Sequence, residues 1–189
     1  MKKNGFASAD LTVGQLNAVV KKIGGHDAVL KFLRGELIIH ERKAGEEIYS
    51  GIVNYDLTFA QMIQAGNYGW TNDDIVPEHF TIVGVGQEEC RFVPVHLNRA
   101  ATTEEALEEI AQRGLIPAKI EHLLSFGAKY PEKQREFAIV ELGSVWVGSF
   151  GCRSVACLCE GDGRRGLGLC DASPDCQWSE VCRFLAVSR

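Results

Sequence analysis

Ser154-Val155-Ala156-Cys157-Leu158-Cys159-Glu160, then Gly161-Asp162-Gly163, then Gly166-Leu167-Gly168-Leu169-Cys170 form the stretch on which the reading of this chain turns. Two short apolar runs flank a turn made of the residues that tolerate left-handed backbone, which is the pattern of a β-hairpin. Val181 to Val187 supplies a third run of the same kind. Phe137 to Val147 supplies a longer one, with Gly143 as a bulge or bend. The expectation is a small antiparallel β meander over residues 136–189, with loops at 148–153 and 171–180.

Upstream, the signals change to helical. Thr102-Thr103-Glu104-Glu105 opens a helix to Arg113, with acids in its first turn to suit the helix dipole. Gly114 closes it, and Pro117 in a first helical position opens a second helix over Ala118 to Phe126. Ala106, Leu107, Ile110, Leu115, Ile120, Leu123 and Leu124 would form the buried seam of a helical hairpin over 102–127. Thr58 to Ala65 reads as a short helix. Ile48 to Leu57, Phe80 to Val85 and Cys90 to Leu97 read as strands. At the start, Thr12 caps a helix over Val13 to Ile23, Gly24-Gly25 stops it, and Asp27 opens a second helix to Arg34. Leu37-Ile38-Ile39 is a strand candidate. The fold class expected is α+β: a helix-turn-helix-like N-terminal pair, a mixed middle and the C-terminal meander.

Charge divides the 189 residues into three segments. Residues 1–43 carry eight Lys/Arg against four Asp/Glu, residues 44–135 seven against fourteen, and residues 136–189 five against seven. The net charge of −5 argues against nucleic-acid binding over the whole surface, yet a basic end on an acidic body permits a local contact. At 46% hydrophobic and 24% charged, the chain is not disordered, collagenous or a coiled coil. The middle and C-terminal segments are expected to form one compact unit. No signal peptide or membrane-spanning run is read, so the expected compartment is the cytoplasm, without a membrane partner.

The N-terminal pair suggests one site. Taking Gly24 as the turn glycine, Val19, Val20 and Ile23 precede it, and Leu30 and Leu33 follow at six and nine residues, the offsets that a helix-turn-helix requires. Lys21, Lys22, His26, Lys31 and Arg34 would then face outward and could meet phosphates. Asp27 stands where a phosphate would have to come. The plain alternative is a helical hairpin that packs on the rest of the chain.

The cysteines suggest a second site. Six of the seven fall at 152, 157, 159, 170, 176 and 182, spaced C-x4-C-x-C-x10-C-x5-C-x5-C. An odd count in a reducing compartment disfavours a disulfide framework. Structural zinc prefers C-x2-C knuckles, and none occurs here. Cys157 and Cys159 share a strand face, however, and Cys170 and Cys182 sit on neighbouring strands, so a four-thiolate zinc site is geometrically open. The alternative is that the cysteines serve as small buried hydrophobes. Cys152 and Cys176, in loops, would be ordinary reactive thiols.

No catalytic constellation stands out. His26, His40, His79, His96 and His122 show no metal-binding spacing. No Gly-x-Ser-x-Gly elbow occurs, and the glycines at 161–166 lack the lysine and helix of a phosphate loop. Asp73-Asp74 reads as a solvated loop.

Several phrases are distinctive together: Leu11-Thr12-Val13-Gly14-Gln15-Leu16-Asn17-Ala18, Phe32-Leu33-Arg34-Gly35-Glu36-Leu37, Gly114-Leu115-Ile116-Pro117-Ala118, Phe126-Gly127-Ala128-Lys129-Tyr130-Pro131-Glu132, Gln134-Arg135-Glu136-Phe137, Leu142-Gly143-Ser144-Val145-Trp146 and Cys182-Arg183-Phe184-Leu185-Ala186-Val187. They resemble a family of short hypothetical proteins from candidate-phylum bacteria with small genomes. The resemblance covers most of the chain. It implies a bacterial, cytoplasmic protein, it implies no activity, and the cysteines are not part of its pattern. The function expected is a non-enzymatic binding or interaction module that contacts nucleic acid through its N-terminal helices. The alternatives are a structural protein that oligomerises, or a thiol- or zinc-dependent enzyme built on the C-terminal cysteines.

Overall fold

The structure is a computed structural model that describes residues 12–36 and 47–188. The chain divides into two compact units, residues 1–41 and 42–189. The strand expected at Leu37-Ile38-Ile39 lies outside the described residues.

The first unit holds helices α1 (Val13–Ile23) and α2 (His26–Leu33). Thr12 starts α1 with a reciprocal cap: the Gln15 amide N–H donates to Thr12 Oγ1 and the Thr12 N–H donates to Gln15 Oε1. Gly24, at φ 110°, stops it, and the Gly25 N–H closes back onto the Val20 carbonyl. The two helices touch each other, yet neither buries a single residue.

The second unit is built on one sheet. In chain order its elements are β1 (Tyr49–Asn54), α3 (Phe59–Gly66), β2 (Trp70–Thr71), β3 (Gln87–His96), α4 (Thr103–Gln112), β4 (Ile116–Pro117), α5 (Ile120–Lys129), α6 (Lys133–Glu136), β5 (Ile139–Glu141), β6 (Trp146–Val147), β7 (Arg153–Gly161), β8 (Arg164–Asp171) and β9 (Arg183–Ser188). The strands join in the order β1-β3-β9-β5-β7-β8-β2, with β4 also on β9 and β6 on β7. The pairs β5/β9 and β2/β8 are parallel and the rest antiparallel. The protein is therefore α+β. The expected small C-terminal meander is instead part of a nine-stranded mixed sheet. β9 leaves its predicted neighbour β8 and inserts between β3 and β5, because Phe184, Leu185 and Ala186 are apolar on both sides and fit only a strand covered on both faces.

Side chains on each strand alternate between two cores, as the pleat dictates. Phe92, Ile139, Ala156, Leu158 and Leu185 point to one, with Met62 of α3 and Ile120, Leu123, Leu124 and Phe126 of α5. Val93, Val95, Val140, Val155, Cys157 and Phe184 point to the other, with Ala106 and Ile110 of α4 and Trp178. The expected helical hairpin over 102–127 is thus not formed: α4 and α5 serve different cores. Ile116-Pro117 explains why, since it pairs with Val187 and Ala186 as β4 rather than opening a helix. A proline lacks an N–H but still fits such a short marginal strand. Two further expectations change. Phe80 to Val85 is not a strand: Phe80 is buried, but Val83 and Val85 are 73% and 91% exposed, and no neighbour pairs with this segment. The strand expected over Phe137 to Val147 breaks after Glu141.

That break has a local cause. Glu141 is fully buried, and its Oε2 accepts the N–H groups of Gly143 and Ser144 at 3.0 and 2.8 Å, which folds the chain back on itself. Its Oε1 accepts only a long 3.4 Å bond from the Ala156 N–H, so this is the oxygen left to carry a proton. Burial pushes the carboxyl up to about 8, against the three amides that favour its ionised form. The native state therefore holds a proton that the unfolded chain loses, and this contribution to stability falls as pH rises from about 5 to 8. Half-buried His122, pushed down to about 4 by desolvation, acts with the opposite sign between about 4 and 6.5. Comparison with Glu141→Gln separates the two. Relative to that variant, the wild type should lose stability with rising pH, at up to about 1.4 kcal/mol per pH unit. Parallel curves in urea titrations at pH 5 to 8 would contradict this.

Candidate functional site

The β7–β8 hairpin turns through two residues, Asp162 and Gly163, both left-handed at φ 52° and 72°. A two-residue loop of this type sets the register. Gly161 faces Arg164, Cys159 faces Gly166, Cys157 faces Gly168 and Val155 faces Cys170. One face of the hairpin thus presents a Cys-x-Cys pair opposite a Gly-x-Gly pair. The glycines leave a flat bed. The indole of Trp70, on parallel strand β2, lies on it so closely that a side chain at Gly166 would have no room. Over Gly168 the indole and the Cys157 sulfur are neighbours: a Cβ there would stand 3.0 Å from the ring and 3.5 Å from Cys157 Sγ.

Three sulfurs meet on this face. Cys157 is 3% exposed, while Cys159 and Cys170 are half-buried. A hydrogen bond joins the Cys157 and Cys170 sulfurs, 2.7 Å apart. Cys157 also interacts with Cys159, and the arrangement holds Cys157 protonated. Sharing that thiol proton lowers both neighbours, Cys159 to about 7. Cys182, just before β9, is near enough to Cys170 to be pushed up by burial and by its charge. Cys152 is exposed, and Cys176 is raised by burial and by Asp171.

The four cysteines proposed from spacing therefore gather on one core, three of them in contact. Four thiolates around zinc at 2.3 Å stand about 3.8 Å apart, wider than the Cys157–Cys170 separation. Among the described residues no group of three or more His, Cys, Asp or Glu side chains is placed to hold a metal ion.

The N-terminal residues stand otherwise. Lys21, Lys22, His26, Lys31 and Arg34 are all exposed. Lys21 and Lys22 occupy the last turn of α1, where their charge suits the dipole, and Asp27 occupies the first turn of α2. The described histidines of the second unit are each tied to backbone: His79 Nδ1 to the Asp74 carbonyl, His96 Nε2 to the Glu180 carbonyl, and His122 Nδ1 accepting from the Lys119 N–H. A groove of about 280 Å³ among Ile52, Met62, Leu124 and Lys129 has no acid or histidine in its lining.

Sequence reasoning missed Trp70, Gly166 and Gly168 as parts of the thiol face. Counting a two-residue loop at Asp162-Gly163 would have found the glycines; Trp70 arrives through tertiary pairing that no local signal encodes. Alkylation of wild-type Cys159 should show an apparent pKa near 7, read by mass spectrometry of its peptide. Cys157→Ala, which removes the shared proton, should return it to about 8.5; a wild-type midpoint already there would refute the shared-proton account. Among the described residues no helix is long and apolar enough to cross a membrane. Comparison of the chain with protein-family models, with curated proteins and with solved structures finds no match.

Proposed function

We propose that this protein is a non-enzymatic binding module that contacts nucleic-acid phosphates through its N-terminal helical pair. The observation that carries this reading is the exposure of Lys21, Lys22, His26, Lys31 and Arg34 on two helices that bury nothing of their own. Residues 12–36 hold four Lys/Arg against Asp27 and Glu36, whereas the chain as a whole is acidic. The first donors of α1 are occupied by the Thr12 cap, and Asp27 occupies the start of α2. Contacts would therefore come from side-chain cations rather than helix ends. Such contacts position a protein on a backbone without reading sequence.

The expected behaviour is weak, sequence-independent binding. Four cations on four phosphates give a slope of about −3.6 in log K against log salt on duplex DNA and about −2.8 on a single strand. Fluorescence anisotropy of the full chain with labelled duplex DNA and single-stranded RNA should show it. Reversing Lys21, Lys22, Lys31 and Arg34 to Glu should abolish binding. No binding at low salt by the wild type overturns the proposal.

A second reading has its own observation. Val13, Leu16, Val19, Phe32 and Leu33 of the same pair are exposed, Val13 and Leu33 by 74% and 72%. Leu33 is a position that a helix-turn-helix would bury, and exposed apolar side chains in a row favour self-association. Light scattering that finds a strict monomer at high concentration removes that reading.

A further inference from the structure

Cys157 and Cys170 are on different strands, two residues out of register, and still bring their sulfurs to 2.7 Å. A disulfide needs about 2.05 Å, so a small side-chain movement separates contact from bond. Both are free thiols, as are all seven cysteines. Cys170 is half-buried, and Cys157 is 3% exposed, with the Trp70 ring as its neighbour over Gly168. Cys159 is the competing partner: two residues along the same strand, its backbone is about 6.6 Å from that of Cys157, near the upper end of the disulfide range.

We propose that Cys157 and Cys170 form an oxidisable dithiol whose oxidant class is the hydroperoxide. The Cys170 thiolate attacks the outer peroxide oxygen. The O–O bond breaks, the alkoxide or hydroxide leaves with the proton of the Cys157 thiol, and Cys170 becomes a sulfenic acid. The Cys157 thiolate then attacks the Cys170 sulfur, the S–S bond forms, and hydroxide leaves and is protonated to water. Two thiols and one hydroperoxide give one disulfide, one alcohol or water, and one water. The sulfurs lose two electrons, and the peroxide gains them.

Two features suit this chemistry. The second step needs no rearrangement of the hairpin, because the resolving sulfur already touches the attacked one. The lowered Cys170 thiol supplies the attacking thiolate, and its partner keeps the proton that the leaving oxygen takes. Oxidation would also take from Cys159 the thiol proton it shares, so Cys159 would become less acidic when the pair closes.

The test uses the reduced full-length protein, hydrogen peroxide and blocking of the remaining thiols. Peptide mapping by mass spectrometry should find one disulfide, Cys157–Cys170, reversed by dithiothreitol, with Cys159 alkylated more slowly at pH 7 than in the reduced protein. Cys157→Ser should leave a Cys170 sulfenic acid that dimedone traps, and Cys170→Ser should leave the buried Cys157 unlabelled. A bridge that instead joins Cys159, Cys152 or Cys176, or thiols that stay reduced while free cysteine is consumed, overturns the proposal. The wild-type map decides this even if a variant does not fold.

Discussion

The carboxyl group of Glu141 is fully buried at the end of a central strand, and separate parts of the body converge on it. It takes the N–H groups of Gly143 and Ser144 and faces the Ala156 N–H of β7. Ser144 in turn accepts the Ile120 N–H with its hydroxyl, which fixes the start of α5. The Gly143 N–H reaches the Ala118 carbonyl, and the Ala118 N–H reaches the Leu185 carbonyl of β9. A buried polar group is costly unless it is satisfied. Here that requirement locks the turn after β5, the start of α5 and strands β7 and β9 into one arrangement. α5 then buries four large apolar side chains, on the order of 6–12 kcal/mol of transfer free energy as an upper figure.

The same corner accounts for the division of the helices. Because β4 and the Ala118 bonds hold residues 116–118 against β9, the chain passes from α4 to α5 across the sheet rather than around a short loop. α4 is left to the other core. Trp178 secures it there: its indole N–H donates to Thr103 Oγ1, its backbone bridges to Ala101, and its ring packs edge-on to Phe184. That second core is also where the β7–β8 hairpin presents its sulfurs.

Legibility from sequence followed the range of the interaction. The caps at Thr12, Thr58 and Thr102 were readable because each is closed by a residue three positions on. The helices they start matched expectation within about a residue. The hairpin was readable, but its register was not: a three-residue loop over Gly161-Asp162-Gly163 would put Cys159 opposite Arg165 instead of Gly166. Pro117 carried a helix-start signal that a pairing partner seventy residues away overrode. Phe80 to Val85 had strand composition and no strand beside it, and composition cannot report a missing neighbour. Glu141 gave no signal at all, since a single acid in an apolar run is ordinary until the amides that satisfy it are known.

Cysteine used as a small hydrophobe accounts for part of the thiol face and not for the rest. Cys90 and Cys157 are buried, and burial alone would explain them; Val155 does the same work two residues before Cys157, on the same face of the same strand. Cys159 and Cys170 are only half-buried, where a hydrophobe gains less from leaving water. Both contact a third sulfur that stays protonated, and both are shifted toward thiolate by it. A valine at either position would keep the packing and lose that acidity. The opposing Gly166 and Gly168 weaken strand propensity and gain nothing as core fillers, yet they make the bed on which the Trp70 ring lies beside Cys157. Packing of the Trp70 ring accounts for the glycines; it does not require the second and third sulfurs.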